Sequence, residues 1–284
     1  MKQFGLIGKT LGHSFSQRYF TEKFAREGIP ARYDNYEMPS ADGVVQLIAS
    51  TLELVGLNVT IPYKKDVIPL LRSLDPDAEA IGAVNVIRIR DMRGFNTDVI
   101  GFRESIRPLL REHHTRALVL GTGGASLAVK HGLRQLGIEP LSVSRTPSSP
   151  SGVQFSPSGE SRESRVESQG LKEGFRFSPS GFLSPDNGGT EGGVRVGYDD
   201  LNAELLSKYK VIVNCTPLGT FPKVDECAPI PYHLLTPDHL LFDLVYNPEE
   251  TLFLRKGREQ GATTKNGYEM LIRQAEAAWE IWNQ

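Results

Sequence analysis

A chain of 284 residues is long enough for one large domain or two of ordinary size. Its 39% hydrophobic and 23% charged residues are those of a globular protein. A formal charge of −2 gives no electrostatic reason to expect nucleic acid or an anionic membrane as partner. No run of about 18 apolar residues occurs, so no segment is expected to span a bilayer.

The opening MKQFGLIGKTLGHSFSQRYF lacks the apolar h-region of a signal peptide. Two cysteines, Cys215 and Cys227, are too few for a disulfide framework and have no histidines at metal-ligand spacing, so no metal is expected. Cys215 lies in the apolar run VIVNC and reads as a small core residue. The cytoplasm is the compartment these features favour. The N-x-T sequons at Asn58 and Asn214 then carry no glycosylation meaning.

In chain order, Phe4–Ile7 reads as a strand and Ser16–Glu27 as a helix; Ala31–Glu37 is a second strand. Val44–Leu54 follows as a helix, with apolar residues at 44, 45, 47, 48, 52 and 54. Leu57–Thr60 is a short strand, residues 63–72 look helical, and Val84–Ile89 with Gly94–Asn96 form the arms of a hairpin. Strands alternating with helices predict an α/β layer on a largely parallel sheet. A long helix from Val99 to Glu112 leads into a second unit. There Ala117–Leu120 is a buried strand, GTGGA follows at 121–125, then a helix over Ser126–Leu136 and a strand over Pro140–Ser144. Val211–Asn214 and Leu240–Leu244 supply further buried strands, and 249–283 reads as two helices.

One stretch breaks the pattern. From Pro147 to about Gly197, Ser, Pro and Gly make up about half the residues, and FSPSG occurs at 155–159 and again at 177–181. Such a composition buries too little apolar surface to offset ordering entropy, so mobility is expected. No amphipathic helix follows the Pro140–Ser144 strand, and the insertion stands where a crossover would be. Two copies do not make a solenoid, which needs at least three stacked units.

The order strand, glycine-rich turn, helix, strand is that of a mononucleotide-binding half. Gly121, Thr122, Gly123, Gly124, Ala125 and Ser126 would let the backbone turn toward a pyrophosphate at a helix N-terminus. At the end of the next strand, where an acid would bond the ribose of NAD, stand Ser144, Arg145 and Thr146. The arginine can fork onto a 2′-phosphate and the flanking hydroxyls can donate to it, which favours NADP. Gly8–Lys9–Thr10 looks like a P-loop ending, but the glycine required five residues earlier is Gln3.

The polar residues of the first unit are individually uninformative. Ser14 can cap a helix, with Gln17 placed for a capping box. Asp98 can be an N-cap, Lys64 a solvated lysine, Asn85 a strand-end residue and Gln274 a residue on an exposed helix face. In combination they say more. GLIGKTLGHSFS (5–16), NVTIPYKK (58–65), AIGAVN (80–85), FNTDVIGF (95–102), GTGGAS (121–126), NCTPLGT (214–220), DLVYNPEETLFL (243–254) and NGYEMLIRQA (266–275) occur in the order of the shikimate dehydrogenase family, which the chain resembles almost throughout except over 147–197.

That resemblance implies a reversible, NADPH-dependent reduction of 3-dehydroshikimate to shikimate. It assigns Lys64 and Asp98 as the catalytic pair, and Ser14 and Ser16 as ligands of the substrate carboxylate. It sets Thr60, Lys64, Asn85, Asp98 and Gln274 around the ring hydroxyls, with Tyr246 closing the site. It gives Gly121–Ser126 and Ser144–Thr146 to NADP, and Thr216, Leu244 and Gly267 to the nicotinamide side. The implied architecture is a substrate domain of residues 1–101 and 238–284 around a Rossmann-like NADP domain of 102–237. A monomer or homodimer binding only small molecules is expected.

Departures from the family pattern concentrate at the cofactor. A motif that commonly ends VNT reads Val84–Asn85–Val86, the usual NRT reads Ser144–Arg145–Thr146 with Pro147 and serines beyond it, and Thr220 stands where a methionine is common. The alternatives are a quinate/shikimate dehydrogenase of broader cofactor use and a non-catalytic ligand sensor. The absence of an acid near Arg145 argues against the first, and the intact Lys64 and Asp98 against the second.

Overall fold

The computed structural model describes residues 1–12, 14–146 and 195–284. The expected mobility and repeat of 147–194 lie outside the described residues. The first unit runs β1 (Lys2–Gly8), α1 (Phe15–Glu27), β2 (Ala31–Glu37), α2 (Gly43–Ser50), β3 (Leu54–Val59), β4 (Ser73–Leu74), α3 (Pro76–Ile81), β5 (Val86–Arg88) and β6 (Arg93–Phe95). These strands form one sheet in the order β2-β1-β3-β5-β6-β4. β1, β2 and β3 run parallel, and β5 is antiparallel to both β3 and β6.

The helix α4 (Thr97–Ile106) leads into β7 (Arg116–Leu120), α5 (Gly124–Gln135), β8 (Glu139–Val143), β9 (Arg195–Val196), α6 (Ala203–Lys208), β10 (Val211–Asn214), β11 (Leu240–Asp243), α7 (Leu252–Glu259), β12 (Thr263–Lys265) and α8 (Tyr268–Asn283). The second sheet is parallel throughout, in the order β12-β11-β10-β7-β8-β9. Numbered within the unit, this is the 3-2-1-4-5-6 order of a doubly wound dinucleotide fold. Its strands β7, β10 and β11 are buried on both faces: Leu118, Val119, Leu120, Ile212, Val213, Leu241 and Phe242 are all 0% exposed.

Local chemistry explains most helix ends. Asp75 caps α3 through the N–H groups of Asp77 and Ala78, Pro76 takes the first turn, and Gly82 ends the helix at φ 68°. Asn202 and Thr251 cap α6 and α7 in the same way.

Several sequence expectations need correction. The helix expected over Val44–Leu54 stops at Ser50, because Leu54 is drawn into β3 opposite Gln3. Residues 63–72 are not an α-helix; Pro69 has no N–H to give Lys65, and only Ile68–Leu70 forms a 3₁₀ turn. The helix expected to reach Glu112 ends at Ile106 before the 3₁₀ turn that holds Pro108. The tail contains a strand, β12, whose three residues Thr-Thr-Lys carry no apolar pattern. A second unit ending at residue 237 is also too short, since β11 and β12 pair into the second sheet. The chain returns to the first unit only with α8, where Trp282 joins Phe4, Phe20 and Phe24 in the core and its indole N–H donates to Ile87 at 3.1 Å.

Candidate active site

Lys64 sits in the turn after β3. The Val84 N–H donates to the Lys64 carbonyl at 2.7 Å, and the Tyr63 N–H to the Thr60 carbonyl at 3.0 Å, so Thr60 opens the same turn. Its ammonium lies 2.5 Å from Oδ2 of Asp98, both side chains being mostly buried. Asp98 is not the cap of α4; Asn96 is, its side chain accepting from the Asp98 N–H at 3.2 Å. The Asp98 carboxylate is therefore free to face the lysine.

Asn85 completes the cluster. Its Nδ2 donates to Oδ1 of Asp98 at 2.8 Å and to the Thr97 hydroxyl at 3.1 Å, while its Oδ1 accepts from the Thr97 N–H at 2.7 Å. Among the described residues each Asp98 oxygen thus has a partner. Thr97 is a site member that sequence reasoning passed over; it sits between Asn96 and Asp98 and looks like an ordinary helix-start residue.

Gln274 is buried, not on an exposed face as one reading allowed, and its Nε2 donates to the Leu271 carbonyl. It stands opposite Gly101, where a Cβ would lie 3.0 Å from the Gln274 Cβ and 2.5 Å from the Met270 carbonyl. Only glycine lets α4 and α8 approach so closely, one turn beyond Asp98.

Ser14 does cap α1, accepting from the Gln17 N–H at 3.3 Å, but Gln17 turns its own side chain to Asn35, so no capping box forms. Burial pushes the titration of the Tyr33 hydroxyl well up. Tyr33 donates to Asn58 at 2.7 Å, and Asn58 donates to the Asn85 carbonyl at 3.3 Å. A buried polar chain thus runs from Tyr33 through Asn58 to Asn85, the partner of Asp98. The Phe15 ring between the two serines lies 6.2 Å from that of Tyr246, which comes from the second unit and is 40% exposed. Both sequons are closed off, Asn58 being 5% and Asn214 0% exposed.

In the second unit Gly121 adopts φ +98°, and a Cβ there would lie 2.9 Å from Thr216. Thr122, Gly123 and Gly124 are exposed; a Cβ on Gly123 or Gly124 would meet nothing, and α5 starts without a side-chain cap. Its first N–H groups and the positive end of its dipole are left open to an anion. Ala125 is half-buried, and the buried Ser126 hydroxyl turns back to the Gly123 carbonyl at 2.7 Å. Arg145 and Thr146 are exposed beside this turn, but the Ser144 hydroxyl donates to the Thr146 carbonyl at 2.7 Å, so it shapes the loop instead of offering a proton to a phosphate.

Thr216, Leu244 and Gly267 follow β10, β11 and β12. The Leu244 N–H donates to the Asn214 carbonyl at 3.0 Å, and a Cβ on Gly267 would lie 2.2 Å from the Leu244 carbonyl. Asp243, which sequence reasoning did not single out, anchors this region: it is 0% exposed, and burial raises its carboxyl to about 6. Cys215, read as a core residue, is only partly buried by surface exposure, and its thiol is pushed well up by burial and the nearby Asp243. No helix among the described residues is long and apolar enough to cross a membrane.

A parallel 3-2-1-4-5-6 sheet with an open glycine turn, set beside a unit holding a paired lysine and aspartate, is the build of a two-unit dinucleotide-dependent enzyme. A family model described as the shikimate dehydrogenase substrate binding domain matches residues 6–87. The chain is 32% identical to the shikimate dehydrogenase (NADP(+)) of Chlorobium phaeovibrioides over 99% of its length and 90% of that protein's. It is 33% identical to that of Trichormus variabilis, covering 100% and 91%. Among solved structures it resembles a Thermus thermophilus shikimate 5-dehydrogenase in complex with NADP(H) and shikimate, with TM-score 0.74 and 27% identity over 99% of this chain and 93% of that one. The chain belongs to the shikimate dehydrogenase family.

Proposed function

We propose that this protein is a shikimate dehydrogenase that reversibly reduces 3-dehydroshikimate to shikimate with NADPH. The contact of Lys64 with Asp98 at 2.5 Å, backed by Asn85, is the observation that carries the reading. NADP fits the residues present: the uncapped start of α5 suits the pyrophosphate, and the exposed Arg145 suits the 2′-phosphate.

When bound, NADPH supplies hydride to the ketone carbon. Lys64, as an ammonium, delivers a proton from Nζ to the ketone oxygen; in the oxidative direction its amine takes that proton from the hydroxyl. Asp98 holds the ammonium and the reacting hydroxyl in line through Oδ2, and Asn85 keeps that oxygen aimed by holding Oδ1. The hydroxyls of Ser14 and Ser16 bind the substrate carboxylate; Thr60, Gln274 and Tyr246 bind and cover the ring hydroxyls. Gly121–Ser126, Arg145 and Thr146 hold the adenosine end of NADP, with Arg145 supplying the charge and Ser144 shaping their loop, while Thr216, Leu244 and Gly267 border the nicotinamide. We place the enzyme in the cytoplasm, as a monomer or homodimer.

Initial rates with shikimate and quinate, each with NADP+ and NAD+, test this reading. Turnover of shikimate with NADP+ above the other three combinations is expected. Faster turnover with NAD+ overturns the cofactor assignment, and none with shikimate overturns the reaction.

A further inference from the structure

The candidate nicotinamide residues lie on three separate loops, after β10, β11 and β12. Nothing in the loop sequences alone fixes their mutual spacing. The residue that joins two of them is Asp243, the last of β11, fully enclosed between β10 and the start of α7.

Its oxygens are shared out among the loops. Oδ1 accepts from Nδ2 of Asn214, the last residue of β10, at 2.9 Å, and from the Val245 N–H at 3.0 Å. Oδ2 accepts from the Thr251 hydroxyl, the N-cap of α7, at 2.6 Å. Asn214 passes the restraint on: its Oδ1 accepts from the Thr216 hydroxyl at 2.6 Å and from the Thr216 N–H at 3.1 Å. The Thr216 side chain lies against Gly121, where the glycine turn begins. Val245 sits between Leu244 and Tyr246, and its carbonyl accepts from the Gly267 N–H at 3.2 Å.

These three donors to Asp243 are neutral, so the carboxylate is held by dipoles. Burying a carboxylate in this way is costly, and an apolar side chain would fill the space at lower cost. A stability role alone does not account for the choice. An acceptor of several hydrogen bonds in fixed directions does, because it sets the distance between loops that must face one bound molecule.

We infer that Asp243 is a positioning residue for the cofactor: through Asn214 and the Val245 N–H it fixes the Thr216 loop against the Leu244–Tyr246 loop, and so sets the width of the nicotinamide side of the cleft. This rests on the assignment of Thr216, Leu244 and Gly267 to that side. Asp243, 0% exposed, offers no surface to substrate or cofactor. Its effect reaches them through hydrogen-bonded neighbours, and in the isosteric amide an N–H group replaces one acceptor and repels one of the present donors.

The test is NADP+ binding to the full-length protein by fluorescence titration, with steady-state kinetics, for Asp243→Asn, Thr251→Val and Thr251→Ser. All are measured at a temperature well below each variant's unfolding midpoint, so that lost stability alone does not move the readout. Asp243→Asn should weaken NADP+ binding by about tenfold or more and lower kcat by a similar factor; Thr251→Val should do the same to a smaller extent, and Thr251→Ser should restore wild-type values. Should Asp243→Asn fail to fold, the two Thr251 variants carry the comparison. Folded Asp243→Asn and Thr251→Val proteins with NADP+ affinity and kcat within twofold of wild type overturn the inference. A wild-type protein that does not bind NADP+ overturns the underlying site assignment instead.

Discussion

Asn85 and Asp98 meet at 2.8 Å, Nδ2 to Oδ1, and the same Asn85 side chain accepts from the Thr97 N–H at 2.7 Å. One amide therefore joins the end of the turn before β5 to the first turn of α4 and aims Asp98 at Lys64. Asn85→Ala would leave the buried Thr97 N–H without that acceptor, a loss worth about 1–3 kcal/mol. It should lower the midpoint of denaturant unfolding and reduce kcat together. Asn85→Asp, which keeps the acceptor but sets a second carboxylate beside Asp98, should recover less kcat than stability.

Lys64→Ala removes the proton donor and leaves the binding residues in place. Positioned proton transfer is worth about 10²–10⁴-fold, so kcat should fall by that order while KM for shikimate shifts much less. Equal changes in the two constants would make Lys64 a binding residue only.

Gly124 opens α5 with no neighbour within reach of a Cβ, so its freedom is not needed by the folded protein itself. Gly124→Ala should leave stability unchanged or raise it by up to about 1 kcal/mol, the ordinary helix gain. KM for NADPH should nonetheless rise by tenfold or more, because a methyl would stand between the helix start and the pyrophosphate. Thermal unfolding paired with KM measurement separates the two effects.

Arg145 is exposed beside the glycine turn. Arg145→Ala should raise KM for NADPH by tenfold or more and leave that for NADH nearly unchanged. Loss of both to the same degree would argue against a 2′-phosphate contact.

Asp243 gives stability a distinct pH dependence. Burial raises its carboxyl to about 6, against an unfolded value near 3.9, so the folded chain holds more protons than the unfolded chain between those limits. Its contribution is fully present below about pH 4 and is lost as pH rises through 6, amounting to about 3 kcal/mol. Asp243→Asn cannot titrate, so wild type minus variant should show this slope between pH 4 and 6 in denaturant unfolding. A flat difference would contradict the shift.

Much of the fold was legible in the sequence, and the failures have specific causes. The runs ALVL, VIVN and LLFD are buried on both faces, so hydrophobicity alone marks them as strands of a parallel sheet. β12 was invisible because Thr-Thr-Lys lies at a half-buried sheet edge and takes its structure from pairing with β11. The boundary at 237 fell for the same reason: once β12 is missed, β11 looks like the last strand of a tail that leaves the second sheet. The region 63–72 misled in the opposite direction, its apolar spacing fitting a helix that Pro69 interrupts.

By itself the sequence determined the family and the reaction expected of it, and put Lys64 and Asp98 forward as candidates, because eight ordered motifs survive in a linear reading. It also determined the glycine turn, whose residues are neighbours along the chain. What only the tertiary structure decided are the relations between distant segments. Asn96 rather than Asp98 caps α4, Ser144 spends its hydroxyl on Thr146, and Asp243 gathers Asn214, Val245 and Thr251. Whether a polar side chain caps a helix, braces a loop or faces a substrate depends on which donor lies within about 3 Å, and that follows from the packing of the sheets, not from the residue's chemistry.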